Sequence, residues 1–82
     1  MNYQDYRNII RKHSVGIVEF TKRDGQNRRL IFNNDLGKMY LSGGTYSAKH
    51  VDTLEPVFEV TASGESVGWK SVSLDRIISL KV

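Results

Sequence analysis

The sequence predicts a small, mainly β domain: five short strands forming a barrel, with one α-helix at the N-terminus. Three observations carry that expectation. Residues 3–13 place apolar side chains at spacings of three and four, the period of a helix face. "VEFTKRDGQNRRL" sets two β-rich runs around Asp24-Gly25, a strong hairpin signal because the tight turn needs positive φ. From Pro56 onward, short alternating runs follow one another with turn residues between them. The chain has 82 residues, the size of one domain, with residues 1–14 expected as the helix and 15–82 as the barrel.

Each element has a local reason. In "YQDYRNIIRKH" the residues Tyr3, Tyr6, Ile9, Ile10 and His13 line one stripe. Asn2 is placed to cap the start, Asp5 suits the first turn, and Arg11, Lys12 and His13 suit the negative end of the helix dipole. "VGIVEFTK" is β-branched and aromatic, with Val18 and Phe20 on one face and Ile17, Glu19 and Thr21 on the other. "RRLIF" returns, with Arg28, Leu30 and Phe32 sharing a face and Arg29 and Ile31 the opposite one. Within 33–55, "KMYLS" reads as a strand, Gly43-Gly44 as a turn and "TYSAKHV" as a return. "PVFEVTA" is a strand that opens on proline, where no ladder bond is lost. "SGES" is a turn, "VGWKSVSL" a strand, "LDRI" a single helical turn capped by Asp75, and "IISLKV" the last strand. This order of helix, bent sheet and closing strand describes a small Sm-like or SH3-like barrel.

Composition excludes several classes. There is no cysteine, so disulfides, thiolate metal sites and cysteine nucleophiles are out, which fits a reducing, cytoplasmic compartment. The first residues lack the apolar core of a secretory signal, and no run reaches the length of about 18 apolar residues that spans a bilayer, so no membrane partner is expected. His50 and Asp52 are too few ligands for a metal. "SGGTYS" lacks the lysine and spacing of a phosphate-binding loop and reads as a turn. No serine elbow or paired carboxylate stands out, so the expectation is a binding protein, not an enzyme, with no cofactor.

The charge distribution points to a partner. The net charge is +3, but residues 1–40 hold eight Lys or Arg against four acids, whereas residues 50–66 hold four acids and no Lys or Arg. One basic face and one acidic edge are therefore expected. Lys22, Arg23, Arg28 and Arg29 come together when the Asp24-Gly25 turn folds back, and Arg7, Arg11 and Lys12 on the helix extend the patch. Such residues neutralise phosphates. Tyr40, Tyr46 and Trp69 are the aromatics that could stack on unpaired bases of RNA or single-stranded nucleic acid, with Trp69 beside Lys70 and Tyr40 near Lys38; Tyr46, beside Gly43-Gly44, is the better exposed, and it and Lys70 complete the candidate set. The competing reading of the same residues is a solvated hairpin tip, charged against edge aggregation. Trp69 is expected in the core.

"VEFTKRDGQNRRL", "PVFEV" and "GWKSVSLDRIISL" resemble the first hairpin and closing motif of small phage-encoded Sm-like/SH3-like barrel proteins named after the WYL domain. The likeness covers residues 15–32 and 56–80; Lys70 stands where that family has arginine, and Val72 where it has an aromatic. The resemblance implies a phage accessory protein in the host cytoplasm, acting against a host defence or toxin system. The alternative partner it implies is a host protein, a toxin or nuclease, inhibited without contact to nucleic acid. Open edge strands in such barrels also make a homo-oligomer plausible.

Overall fold

The computed structural model describes residues 2–38 and 53–82. Its elements are α1 (Tyr3–His13), β1 (Val15–Thr21), β2 (Asn27–Asn33), α2 (Asn34–Gly37), β3 (Leu54–Val60), β4 (Ser66–Ser73), a 3₁₀ turn (Leu74–Arg76) and β5 (Ile77–Lys81). The protein is mainly β. All five strands pair antiparallel in a single sheet of order β4-β3-β2-β1-β5.

Helix α1 starts with a capping box. The Asn2 Oδ1 accepts from the Asp5 N–H at 3.0 Å, and the Asp5 Oδ2 accepts from the Asn2 N–H at 3.3 Å. These bonds satisfy backbone donors that have no partner within the helix. At the other end Ser14 turns into the left-handed region (φ 64°) and donates its N–H to the Ile10 carbonyl. The buried stripe is narrower than the periodicity suggests: Ile10 is fully buried and Tyr6 packs on the core, while Tyr3 and His13 are exposed.

The two hairpins are closed by one kind of turn. In the first, the Lys22 N–H donates to the Gln26 carbonyl and the Gly25 N–H to the Lys22 carbonyl. In the second, the same pattern joins Thr61 to Glu65 and Gly64 to Thr61. Gly25 and Gly64 both sit at φ 88°, and neither Asp24 nor Ser63 has positive φ. A single left-handed glycine thus closes each hairpin, where the sequence suggested positive φ through Asp24-Gly25. The Asp24 carboxylate accepts from the Gln26 N–H at 3.0 Å and stiffens the first turn.

Between β2 and β3 the ladder is short, through Ile31↔Val60 and Phe32↔Glu59. The chain leaves it through α2, which Asn33 caps by accepting from the Leu36 N–H at 3.0 Å. The Asn34 side chain then accepts from the Phe58 N–H at 2.9 Å, replacing a missing ladder bond. α2 lies on the outer face of the sheet over Phe58, whose ring meets Trp69 edge-on with centroids 5.4 Å apart. Trp69 is half-buried against that outer cluster. The expected strand at "KMYLS", apart from Lys38, and its expected return lie outside the described residues, as does Tyr46. The 3₁₀ turn begins after Ser73, so Asp75 lies within it instead of capping it.

The inner face carries the core: Ile10, Val18, Phe20, Leu30, Phe32, Val57, Val72 and Leu74, with Tyr6, Ile77 and Leu80 against it. Each such side chain contributes about 1.5–3 kcal/mol by leaving water. The sheet curls around this core. In a flat sheet β1 and β4, three strand spacings apart, would stand roughly 14 Å from each other; here some of their Cα atoms come within 8 Å. No ladder joins β4 to β1 or β5 among the described residues, so the sheet stays open along one seam.

Candidate nucleic-acid interface

The nine candidate residues divide by what they touch. On β3, the period-two alternation that sends Val57 inward also sends Glu55 and Glu59 inward. Each carboxylate meets arginine. The side chain of Glu55, 6% exposed, accepts from Arg7 Nε at 3.3 Å, Arg11 Nε at 2.9 Å and Arg11 Nη2 at 3.3 Å. Glu59 accepts from Arg28 Nη2 at 2.7 Å on both oxygens. Burying a carboxylate without such partners would cost several kcal/mol. Arg7, Arg11 and Arg28 are therefore engaged in holding β3 to α1 and β2. The Glu55 hydrogen bond, aided by its charge, raises the Arg11 pKa against the opposing effect of desolvation. The acidic edge expected over 50–66 is not a surface feature at these positions: Glu55 and Glu59 are buried, and Glu65 is exposed.

The remaining cations keep their charge for solvent. Among the described residues Lys12, Arg23, Arg29 and Lys70 make no ion pair, and Lys22 makes a long one of 3.7 Å to exposed Asp24. Lys12 is on the exposed side of α1, and Arg29 is on the face of β2 opposite to Arg28.

Lys22, Arg23, Arg28 and Lys70 meet around one cavity of about 450 Å³. It lies at the seam, where the curl brings the β1–β2 hairpin toward β4. Phe20, Leu30 and Leu54 provide apolar lining, and Ser71 and Ser73 provide hydroxyls. Arg76 ties the hairpin to the start of β5 by donating to the Lys22 carbonyl at 3.4 Å. A cavity of this size with an apolar lining and few polar groups suits a small ligand or one unit of a polymer. Four of the nine candidates thus converge, although they span 49 positions of sequence, from 22 to 70.

Phe20, Leu30, Leu54, Ser71 and Ser73 escaped the sequence reading. Alternation marks Phe20 and Leu30 as inward but does not show that part of the inward surface opens on a cavity. Among the described residues no cluster of three or more His, Asp or Glu could hold a metal, and no helix is long and apolar enough to cross a membrane. Comparison with known protein families, curated proteins and solved structures finds no match to this chain.

Proposed function

We propose that this chain binds RNA or single-stranded nucleic acid across the seam, with Lys22, Arg23 and Lys70 on phosphates and Arg29 and Lys12 adding to the field. The observation that carries the reading is the meeting of these three cations over an apolar-lined cavity, while Glu55 and Glu59 are turned inward and paired with arginines. Arg28 belongs to the wall, because Glu59 already takes its charge. On this reading the fold is an Sm-like/SH3-like barrel left open beside β4; the curl of the sheet and the pairing of the last strand with the first support it. The resemblance to phage-encoded barrel proteins supports the setting, an accessory protein acting against a host defence or toxin system.

Fluorescence anisotropy with a labelled single strand over a salt series tests the reading. Three phosphate contacts predict a slope of log K against log salt of about −2 for a single strand. Lys22→Glu, Arg23→Glu and Lys70→Glu together should abolish binding. No binding at low salt, or a flat slope, overturns it. Reversal of Arg28 is the wrong test, since it would set a second carboxylate against Glu59 and destabilise the fold.

A host protein as partner is the second reading. The outer edge of β5 pairs with no strand among the described residues and bears exposed Ile78. Such an edge accepts an added strand. Binding to a protein with little salt dependence, unaffected by the triple reversal, would favour it.

A further inference from the structure

Ser73 ends β4 and precedes the 3₁₀ turn. It is 7% exposed, yet its hydroxyl does not cap that turn. It has no side-chain hydrogen bond among the described residues, and it lines the seam cavity. Its oxygen is not one of the fully buried side-chain atoms that lack a partner, so it reaches the open space of the cavity. A hydroxyl that opens on a cavity is available to a polar ligand edge. Around it, Phe20, Leu30 and Leu54 offer apolar contact, and Lys22, Arg23 and Lys70 supply positive charge at the same cavity. The required ligand is flat or compact, partly apolar, able to hydrogen-bond at one edge, and attached to negative charge.

Resting on the nucleic-acid reading above, we infer that the seam cavity holds one unpaired base of the bound strand. The base lies against Phe20, Leu30 and Leu54, its polar edge meets the Ser73 hydroxyl, and the flanking phosphates reach Lys22, Arg23 and Lys70. The volume of about 450 Å³ falls toward the small end of ligand sites, so it admits a single unit and not a stacked run. A paired base is held in its duplex and cannot enter without being unpaired, so the cavity selects single strands over duplexes. The cations alone would bind both. The cavity thus separates two contributions: charge supplies affinity, and the base supplies the choice of strand.

The test compares a single-stranded oligoadenylate with a strand of equal length whose sugars are all abasic. Both carry the same phosphates and compete against the same labelled strand at fixed salt. The intact strand should bind about fivefold more tightly or better, fivefold being the lower end of what one stacked base contributes. Leu54→Trp should fill the cavity, weaken the intact strand to the level of the abasic one, and leave the abasic strand unchanged. If circular dichroism shows that variant unfolded, Ser71→Trp at an exposed lining position serves instead. Equal binding of the two strands by the native protein overturns the inference while leaving the phosphate contacts in place. Binding of neither strand overturns the phosphate contacts and the inference together.

Discussion

Glu55→Gln keeps the size of the side chain at the start of β3 and removes its charge. The native carboxylate is buried beneath two arginines that differ in their freedom: the Arg7 side chain is 13% exposed and that of Arg11 is 65% exposed. Arg11 can swing into water when its partner is neutralised; Arg7 cannot do so without losing packing. Breaking a buried ion pair from one side costs about 3–5 kcal/mol. The retained amide oxygen still accepts one bond and Arg11 escapes to solvent, which lowers the expected loss to roughly 2–3 kcal/mol. For a domain of this size each kcal/mol shifts the melting temperature by about 4–8 °C, so thermal unfolding followed by circular dichroism should fall by roughly 10–20 °C. Arg11→Ala alone should cost no more than about 1 kcal/mol. Arg7→Met with Glu55→Met should recover part of the loss, because no unpaired charge remains inside. The sign with pH follows from Arg11. Its pKa is raised on folding, so its contribution is complete below the unfolded value and is lost only as pH rises through the folded one. Both values are strongly alkaline, and the stability due to this guanidinium should be flat between about pH 6 and 10. A Glu55→Gln melt within about 3 °C of the native one would refute the reasoning, as would an Arg11→Ala loss equal to it.

Four further substitutions separate local causes. At Gly37 an added Cβ would stand 2.5 Å from the Phe58 Cβ, so Gly37→Ala should lower the urea midpoint by an amount equivalent to about 2 kcal/mol or more, with loss of near-ultraviolet signal from Trp69. At Gly25 the Cβ would meet nothing within 4 Å, and the positive φ is the only obstacle; Gly25→Ala should cost about 1–2 kcal/mol, and Gly64→Ala, with the same φ and the same open space, should cost the same in urea unfolding. Leu74→Ala, at 1% exposure in the core, should cost about 2–5 kcal/mol by the same measurement.

What the sequence disclosed was mostly local. The Asn2–Asp5 cap, the extent of α1 and the hairpin around Gly25 depend on residues within a few positions of one another, and all are legible as motifs. The four-residue α2 is too short to show a period, and its reasons are the single bonds made by Asn33 and Asn34. The site was harder to read because its decisive pairings are remote. Arg28 finds Glu59 at a separation of 31 residues, and Arg11 finds Glu55 at 44. Composition counts these arginines as positive surface, while the fold uses them to neutralise its own inward acids. Alternation along β3 places Glu55, Val57 and Glu59 on one face, but only the tertiary fold shows that face to be the inner one.

The uneven ladders of the sheet have a consequence for how the chain acquires its form. β1 pairs with β2, and β3 with β4, along nearly their whole lengths, whereas β2 meets β3 through Ile31↔Val60 and Phe32↔Glu59. Each hairpin has its own glycine hinge and can zip without waiting for the other, on the microsecond scale of isolated hairpins. Their joining requires closure of the long connection between them, with the entropy that entails. The expected rate-limiting event in folding is then the docking of the two hairpins on each other. Substitutions in the Gly25 or Gly64 turns should slow refolding less than those at Phe32 and Val57, where the halves meet in the core. Native-state hydrogen exchange should likewise show the β2–β3 amides opening before those inside either hairpin.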